Sequence, residues 1–183
     1  SATYDFFFEW LKIESESEQP DRNAIRNAGQ ISDSSVKYFV HGLLDKTRLI
    51  DYIENFILFV NQSDKIIAKN HQYHGVNNLF ESVKHKEEKN GKLGVFWHTQ
   101  GSGKSFSMVM LAHKLITDLE MKNPTVVVLT DRNDLDNQLF PTFSNASEFL
   151  RTRPVQVESR EDMLTKIGEV REGGIIFTTL QKF

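Results

Sequence analysis

Hydrophobic positions recur along this chain at two spacings, and the alternation between them predicts its architecture. After Ser34-Ser35, which suits a helix cap, Val36, Phe39, Val40, Leu43 and Leu44 fall on one helical stripe. A second helix is predicted over 46–60, with Leu49, Ile50, Ile53, Phe56, Ile57 and Val60 as its apolar positions. The polar stretch 61–64 breaks it, and 65–72 runs into a further helix carrying Val76, Leu79, Phe80 and Val83. The charged run 84–92 reads as a solvated turn. Three short, nearly continuous apolar runs follow, at 93–97, 125–130 and 174–179. Runs of this kind suit strands of a parallel sheet buried on both faces. Helical patterns at 106–119 and 160–170 alternate with them. Residues 131–140 suggest a turn and a short helix, and 141–160 are mixed, with a short strand at 155–157. Strand, helix, strand, helix, strand is the grammar of a parallel α/β sheet. Upstream, 4–13 reads as a strand, and the polar stretch 14–33, with Pro20 and Gly29, as a linker or surface segment.

The chemistry concentrates between the first of these strands and its helix. His98-Thr99-Gln100-Gly101-Ser102-Gly103-Lys104-Ser105 ends as a phosphate-binding loop does, in Gly-Lys-Ser. The full pattern opens on glycine, and here that position is His98. Gly101 and Gly103 let the backbone bend so that successive amide N–H groups point inward. The helix that follows offers its N-terminus to the same anion. In such a loop Lys104 reaches the terminal phosphates of a nucleotide and Ser105 ligates magnesium. The alternative is a glycine-rich turn with a chance lysine, which the strand before and the helix after disfavour. His98 is better read as a packing residue than as a catalytic one.

Composition narrows the picture without naming a partner. The chain has 183 residues, 14 of them phenylalanine, and no cysteine, so disulfides, cysteine nucleophiles and thiolate zinc sites are excluded. No run of eighteen apolar residues is present, which argues against a membrane span. Lys12 and Glu14 follow the first aromatic run, so the opening residues do not read as a signal peptide, and a cytoplasmic location is expected. A net charge of −3 gives no compositional support for nucleic acid, although a local basic stripe can exist within an acidic chain.

Several stretches together resemble the restriction (R, HsdR) subunit of type I restriction–modification enzymes, a helicase superfamily 2 motor. Residues 94–105 resemble that family's form of helicase motif I, including the histidine. Residues 126–139 resemble motif Ia, and 65–73 resemble the upstream segment whose glutamine reads adenine. Residues 43–56 are similar to the connector before the motor, and 175–183 to the strand just before the Asp-Glu-Ala-His box. The resemblance implies an α/β fold of RecA-like type, a P-loop three-layer sandwich with a parallel sheet, preceded by a helical connector. Residues 1–60 would be the end of a nuclease domain plus that connector, and 61–183 an incomplete first motor domain. It further implies ATP and Mg2+ as cofactors, double-stranded DNA as the track, and methylation (M) and specificity (S) subunits as partners. The implied activity is ATP-dependent DNA translocation and site-specific endonuclease action by the complete subunit. No Asp-Glu-Ala-His box occurs within these residues, so this stretch alone is expected to hydrolyse ATP poorly or not at all.

The same resemblance assigns roles residue by residue. Gln72 would read the adenine edge, 32 residues before Lys104; without the resemblance it is a helix-surface residue. Thr99, Gln100, Gly101, Ser102, Gly103, Lys104 and Ser105 would cradle the phosphates, Lys104 and Ser105 carrying the catalytic load. Asp131, Arg132 and Gln138, at the carboxyl end of a parallel strand, would face nucleic acid; a capping aspartate beside a solvated arginine is the plainer reading. Thr178 and Thr179 would contact that backbone or couple it to the nucleotide site. Arg151 and Arg153 read as a solvated face. Three other functions compete: another superfamily 2 DNA helicase-like ATPase, a metabolic P-loop kinase, which would need a lid and acceptor site not evident here, and a non-catalytic nucleotide-binding regulatory or scaffold module.

Overall fold

The computed structural model describes Trp10 and residues 39–61, 63–131, 133–169 and 173–182. The expected strand at 4–13, apart from Trp10, and the linker at 14–33 lie outside the described residues. So does the start of the first helix, whose remainder is a π-helical turn at Phe39–Leu43.

Helix α1 spans Lys46–Asn55, capped by Asp45, whose carboxylate accepts the Arg48 amide at 3.1 Å. It stops earlier than its apolar pattern predicts. Phe56 leaves helical geometry at φ −128°, and Ile57–Val60 forms strand β1. This strand pairs with β2, Asp64–Ile67. The residues Ile-Leu-Phe-Val favour a pleated strand, and pairing with β2 decides between two periods that four residues cannot separate. Helix α2 then covers Asn70–Lys84. These elements, with residues up to Trp97, contribute to the first of two compact units, formed by Ser1–Ile57 and Ile67–Trp97. Its described core is aromatic: Trp10, Tyr52, Phe56, Tyr73 and Phe80 are all buried. Trp10 meets Tyr52 edge-on at 5.7 Å, and Phe56 meets Tyr73 at 4.7 Å, separations at which ring quadrupoles attract.

The expected strand at 93–97 does not form. Residues 92–99 carry no regular structure, Val95 is 91% exposed and Trp97 79%. Gly94 turns the backbone to φ +132°, far from strand geometry, and interrupts the extended run a ladder requires. An apolar run signals a buried strand only where a neighbour supplies the hydrogen bonds.

The second unit comprises Leu58–Ile66 and His98–Phe183. Helix α3, Lys104–Thr117, leads through a 3-10 turn at Leu119–Met121 to β3, Thr125–Thr130. Helix α4, Asn133–Asn145, is longer than predicted and contains Pro141, and α5 follows at Ser147–Leu150. Strand β4 is Val155–Gln156, α6 is Arg160–Glu169, and β5 is Gly174–Thr179. The sheet order is β3-β5-β4, and both pairings are parallel, with Thr125 opposite Gly174 and Val155 opposite Ile176. All six residues of β5 are buried, as a central strand requires. β3 alternates instead: Val128 and Thr130 are buried while Val127 and Leu129 are exposed. Helix α4 packs on β5 and β3, and α3 packs on α4 and α5. Phe177 of β5 anchors this layer, meeting Phe143 at 5.0 Å and Phe140 at 5.3 Å, both edge-on.

Candidate nucleotide-binding site

The loop before α3 turns on two glycines and has no strand leading into it. Gly101 and Gly103 sit at φ +78° and +84°, in the left-handed region where a β-carbon is strained. Gly103 is the residue that caps α3, so the loop turns directly into a 14-residue helix. The first amides of that helix have no acceptor four residues back, and the helix dipole adds partial positive charge there. Ser102 donates its amide to the Thr99 carbonyl at 3.3 Å, which tightens the turn. The Lys104 ammonium donates to the His98 carbonyl at 2.7 Å and the Thr99 carbonyl at 2.9 Å. Lys104, Thr99, Gln100 and Gly101 are exposed, while Ser102, Gly103 and Ser105 are half-buried. The seven residues predicted to cradle phosphate therefore form one continuous turn with a cation folded over it. Ser105 occupies the first turn of α3, a position from which a hydroxyl suits a hard divalent cation beside a phosphate.

Gln72 lies in the first turn of α2, in the other unit, and is only 4% exposed. Its Oε1 accepts the Lys69 amide at 2.9 Å, closing one half of a capping box. Tyr73 and His74 beside it are buried in the aromatic cluster. Burial pushes the Tyr73 phenol well above its ordinary range, and the neighbouring Asp51 carboxylate adds to the shift.

At the carboxyl end of the sheet, Asp131 and Gln138 are exposed, and the Gln181 amide reaches the Asp131 carbonyl at 3.4 Å. Arg132 lies outside the described residues. Thr178 and Thr179 are each 1% exposed. The Thr130 hydroxyl donates to the Thr178 carbonyl at 3.4 Å, and the Leu180 amide to the Thr130 carbonyl at 2.9 Å, so the ends of β3 and β5 are tied together. Lys182 donates to the Val157 carbonyl at 3.0 Å. Lys166 binds both the Gln156 carbonyl at 2.8 Å and the Asp162 carboxylate at 2.7 Å, and this contact holds the Asp162 carboxyl below its usual range.

The family model for SWI2/SNF2 ATPases matches residues 71–183, the phosphate loop included. The chain belongs to the SWI2/SNF2 ATPase family. Along its whole length it is also homologous to endonuclease subunits of type I restriction enzymes. It is 41% identical to the type I restriction enzyme HindI endonuclease subunit of Haemophilus influenzae over 189 aligned residues, which cover 100% of this chain and 17% of that protein. It is 32% identical to a Methanocaldococcus jannaschii protein provisionally designated the type I restriction enzyme MjaIXP endonuclease subunit, over 100% of this chain and 18% of that one. The Staphylococcus saprophyticus SsaAORF53P endonuclease subunit is 26% identical over 81% of this chain and 15% of its own length. The chain thus spans less than a fifth of these curated relatives.

The functional candidates that local pattern does not signal lie on α1. Asp51 and Tyr52 read as ordinary connector positions, yet they touch both sides of the Gln72 turn. Their contacts span 16 and 26 residues of sequence, so no local pattern signals them. Among the described residues no helix is long and apolar enough to cross a membrane, and no group of three metal-ligating side chains is present.

Proposed function

We propose that this chain supplies the ATP-binding part of the DNA-translocating motor in the endonuclease subunit of a type I restriction–modification system. The observation that carries this reading is the loop 98–105: two left-handed glycines, a helix N-terminus and Lys104 converge on one exposed turn. Membership of an ATPase family and homology to type I endonuclease subunits support it. In this reading Thr99 to Gly103 wrap the phosphates with backbone amides. Lys104 exchanges its two carbonyl partners for the terminal phosphates, and Ser105 holds Mg2+ against them. The magnesium, when bound, neutralises phosphate charge. Gln72 reads the adenine edge.

In this reading the motor domain begins at residue 61, with 1–60 as connector and the end of a nuclease domain. Duplex DNA lies across the carboxyl ends of β3 and β5, facing the loop that starts at Asp131, with Arg132 meeting a phosphate and Gln138 doing so or bracing the loop. Thr178 and Thr179, at the end of β5, contact the DNA backbone or couple it to the nucleotide site. The complete subunit works in the cytoplasm with M and S subunits, and acts there as a site-specific deoxyribonuclease.

The deciding experiment is nucleotide binding by Lys104→Ala. Loss of ATP affinity in a folded variant is expected. Wild-type affinity in that variant refutes the assignment.

A further inference from the structure

Helix α1 grips the start of α2 at two separate places. The first grip is on Ala68, two residues before α2 begins. Tyr52 donates its phenolic O–H to the Ala68 carbonyl oxygen, and the Ala68 amide donates to the Phe56 carbonyl at 3.0 Å. Both backbone polar groups of Ala68 are thus held by α1 and the residue that ends it. The second grip is on the first two turns of α2. Asp51 accepts from the Asn77 side-chain amide at 3.2 Å and from the Tyr73 hydroxyl. Asn55, one turn along α1, donates to the other Asp51 oxygen at 3.0 Å and fixes the carboxylate's rotamer. Gln72 lies between the two grips, with its own oxygen held by the Lys69 amide.

Two anchors on either side of a residue constrain both rotation and translation of its turn, which a single contact cannot do. Tyr52 is itself immobilised, buried against Trp10 and Phe56. A side chain that must present an amide to a planar base needs such support, because a displacement of about 1 Å is enough to lose a directed hydrogen bond. We infer that Asp51 and Tyr52 are positioning residues for base recognition, setting the angle at which Gln72 meets the purine and so the preference for a six-amino over a six-oxo ring. The inference rests on the proposed role of Gln72. A six-amino purine offers a donor beside the N7 acceptor, whereas a six-oxo purine offers two acceptors. Only an amide held at one orientation distinguishes them.

The test is competition against a fluorescent ATP analogue by ATP, GTP and inorganic tripolyphosphate, in the full-length protein. Wild type, Gln72→Ala, Tyr52→Phe and Asp51→Asn are compared. Tyr52→Phe keeps the ring and removes only the hydroxyl; Asp51→Asn keeps the shape and removes one acceptor. Both are expected to lower the ATP-to-GTP affinity ratio at least fivefold towards the Gln72→Ala value, with tripolyphosphate affinity within twofold of wild type. Tripolyphosphate carries no base, so a general loosening of the fold would weaken it as well, and that result overturns the inference. A lowered ratio in Gln72→Ala alone, with wild-type ratios in folded Tyr52→Phe and Asp51→Asn, also overturns it while leaving the role of Gln72 intact. An unchanged ratio in Gln72→Ala removes the base-reading role itself, and with it this inference.

Discussion

The Lys104 ammonium sits 2.7 Å from the carbonyl oxygen of His98, so the cation closes the loop that it helps to form. The partner is a backbone atom, and the contact does not depend on the imidazole. His98→Ala is therefore expected to change nucleotide affinity less than threefold. Gly103→Ala behaves differently. Its φ of +84° costs an L-residue about 1–2 kcal/mol. If the bound loop keeps this turn and the free loop relaxes out of it, ATP affinity falls roughly tenfold. Titration calorimetry on both variants measures the contrast, and equal losses would show that the left-handed cap does not set affinity.

Two buried phenols predict how the first unit responds to alkali. Burial pushes Tyr52 from 10.0 up to about 12, and burial together with Asp51 pushes Tyr73 upward as well. Unfolded, both lose their protons near the ordinary tyrosine value; folded, they keep them. Above that value the unfolded state binds fewer protons, so stability falls as pH rises. The Tyr52 contribution is complete below pH 10 and is lost as pH rises through about 12, while that of Tyr73 persists to higher pH. Urea midpoints against pH are expected to drop across this window. Tyr52→Phe should make the drop shallower, while lowering the plateau by about 1 kcal/mol for the lost hydroxyl bond. A drop of unchanged steepness in that variant would show that Tyr52 is not among the titrating groups.

Much of the second unit was legible in the sequence. Val126-Val127-Val128-Leu129 and Ile175-Ile176-Phe177 read as parallel strands, and they pair in register. The helix after the loop 98–105 formed as the motif required, but the strand expected before it, at 93–97, did not. The illegible parts depend on neighbours rather than on local pattern. Ile57–Val60 satisfies helical and strand spacing equally, and only β2 makes it a strand. Leu93-Gly94-Val95-Phe96-Trp97 has strand composition but lacks a ladder. The burial of Thr178 and Thr179 follows from the central place of β5, which composition does not reveal. The Asp51 and Tyr52 contacts join residues that only the folded chain brings together.

Phe177 meets both Phe140 and Phe143 edge-on, and of these two only Phe143 is fully buried with it. Removing a buried phenyl ring leaves a cavity that a packed layer cannot close, at about 3–5 kcal/mol. Phe143→Ala is expected to fall in that range by denaturant unfolding. Phe140→Ala, at a half-buried position, should cost less than half as much. Equal losses would mean that the layer on β5 is packed differently.

A DNA interface on this chain makes a specific demand on local charge. The chain carries a net charge of −3, so it does not steer a polyanion as a whole. Any grip must come from the strand ends. Lys166 is engaged by Asp162 and the Gln156 carbonyl, and Lys182 by the Val157 carbonyl. Arg132 directly follows Asp131 at the end of β3, where α/β sheets place their ligands. A guanidinium there would meet phosphate oxygens, which fix position on the duplex without reading bases. Each phosphate neutralised by a protein cation releases about one counterion, so binding weakens steeply with salt. Arg132→Ala in the full-length protein is therefore expected to lower DNA-stimulated ATPase on cognate and random duplex alike. It should reduce the salt slope by about one unit and leave basal ATP affinity within twofold, since the phosphate loop is built from other residues. The measurement is a salt titration of duplex-stimulated ATPase, wild type against variant. Identical stimulation with identical slopes would remove Arg132 from the DNA interface and leave the nucleotide site standing.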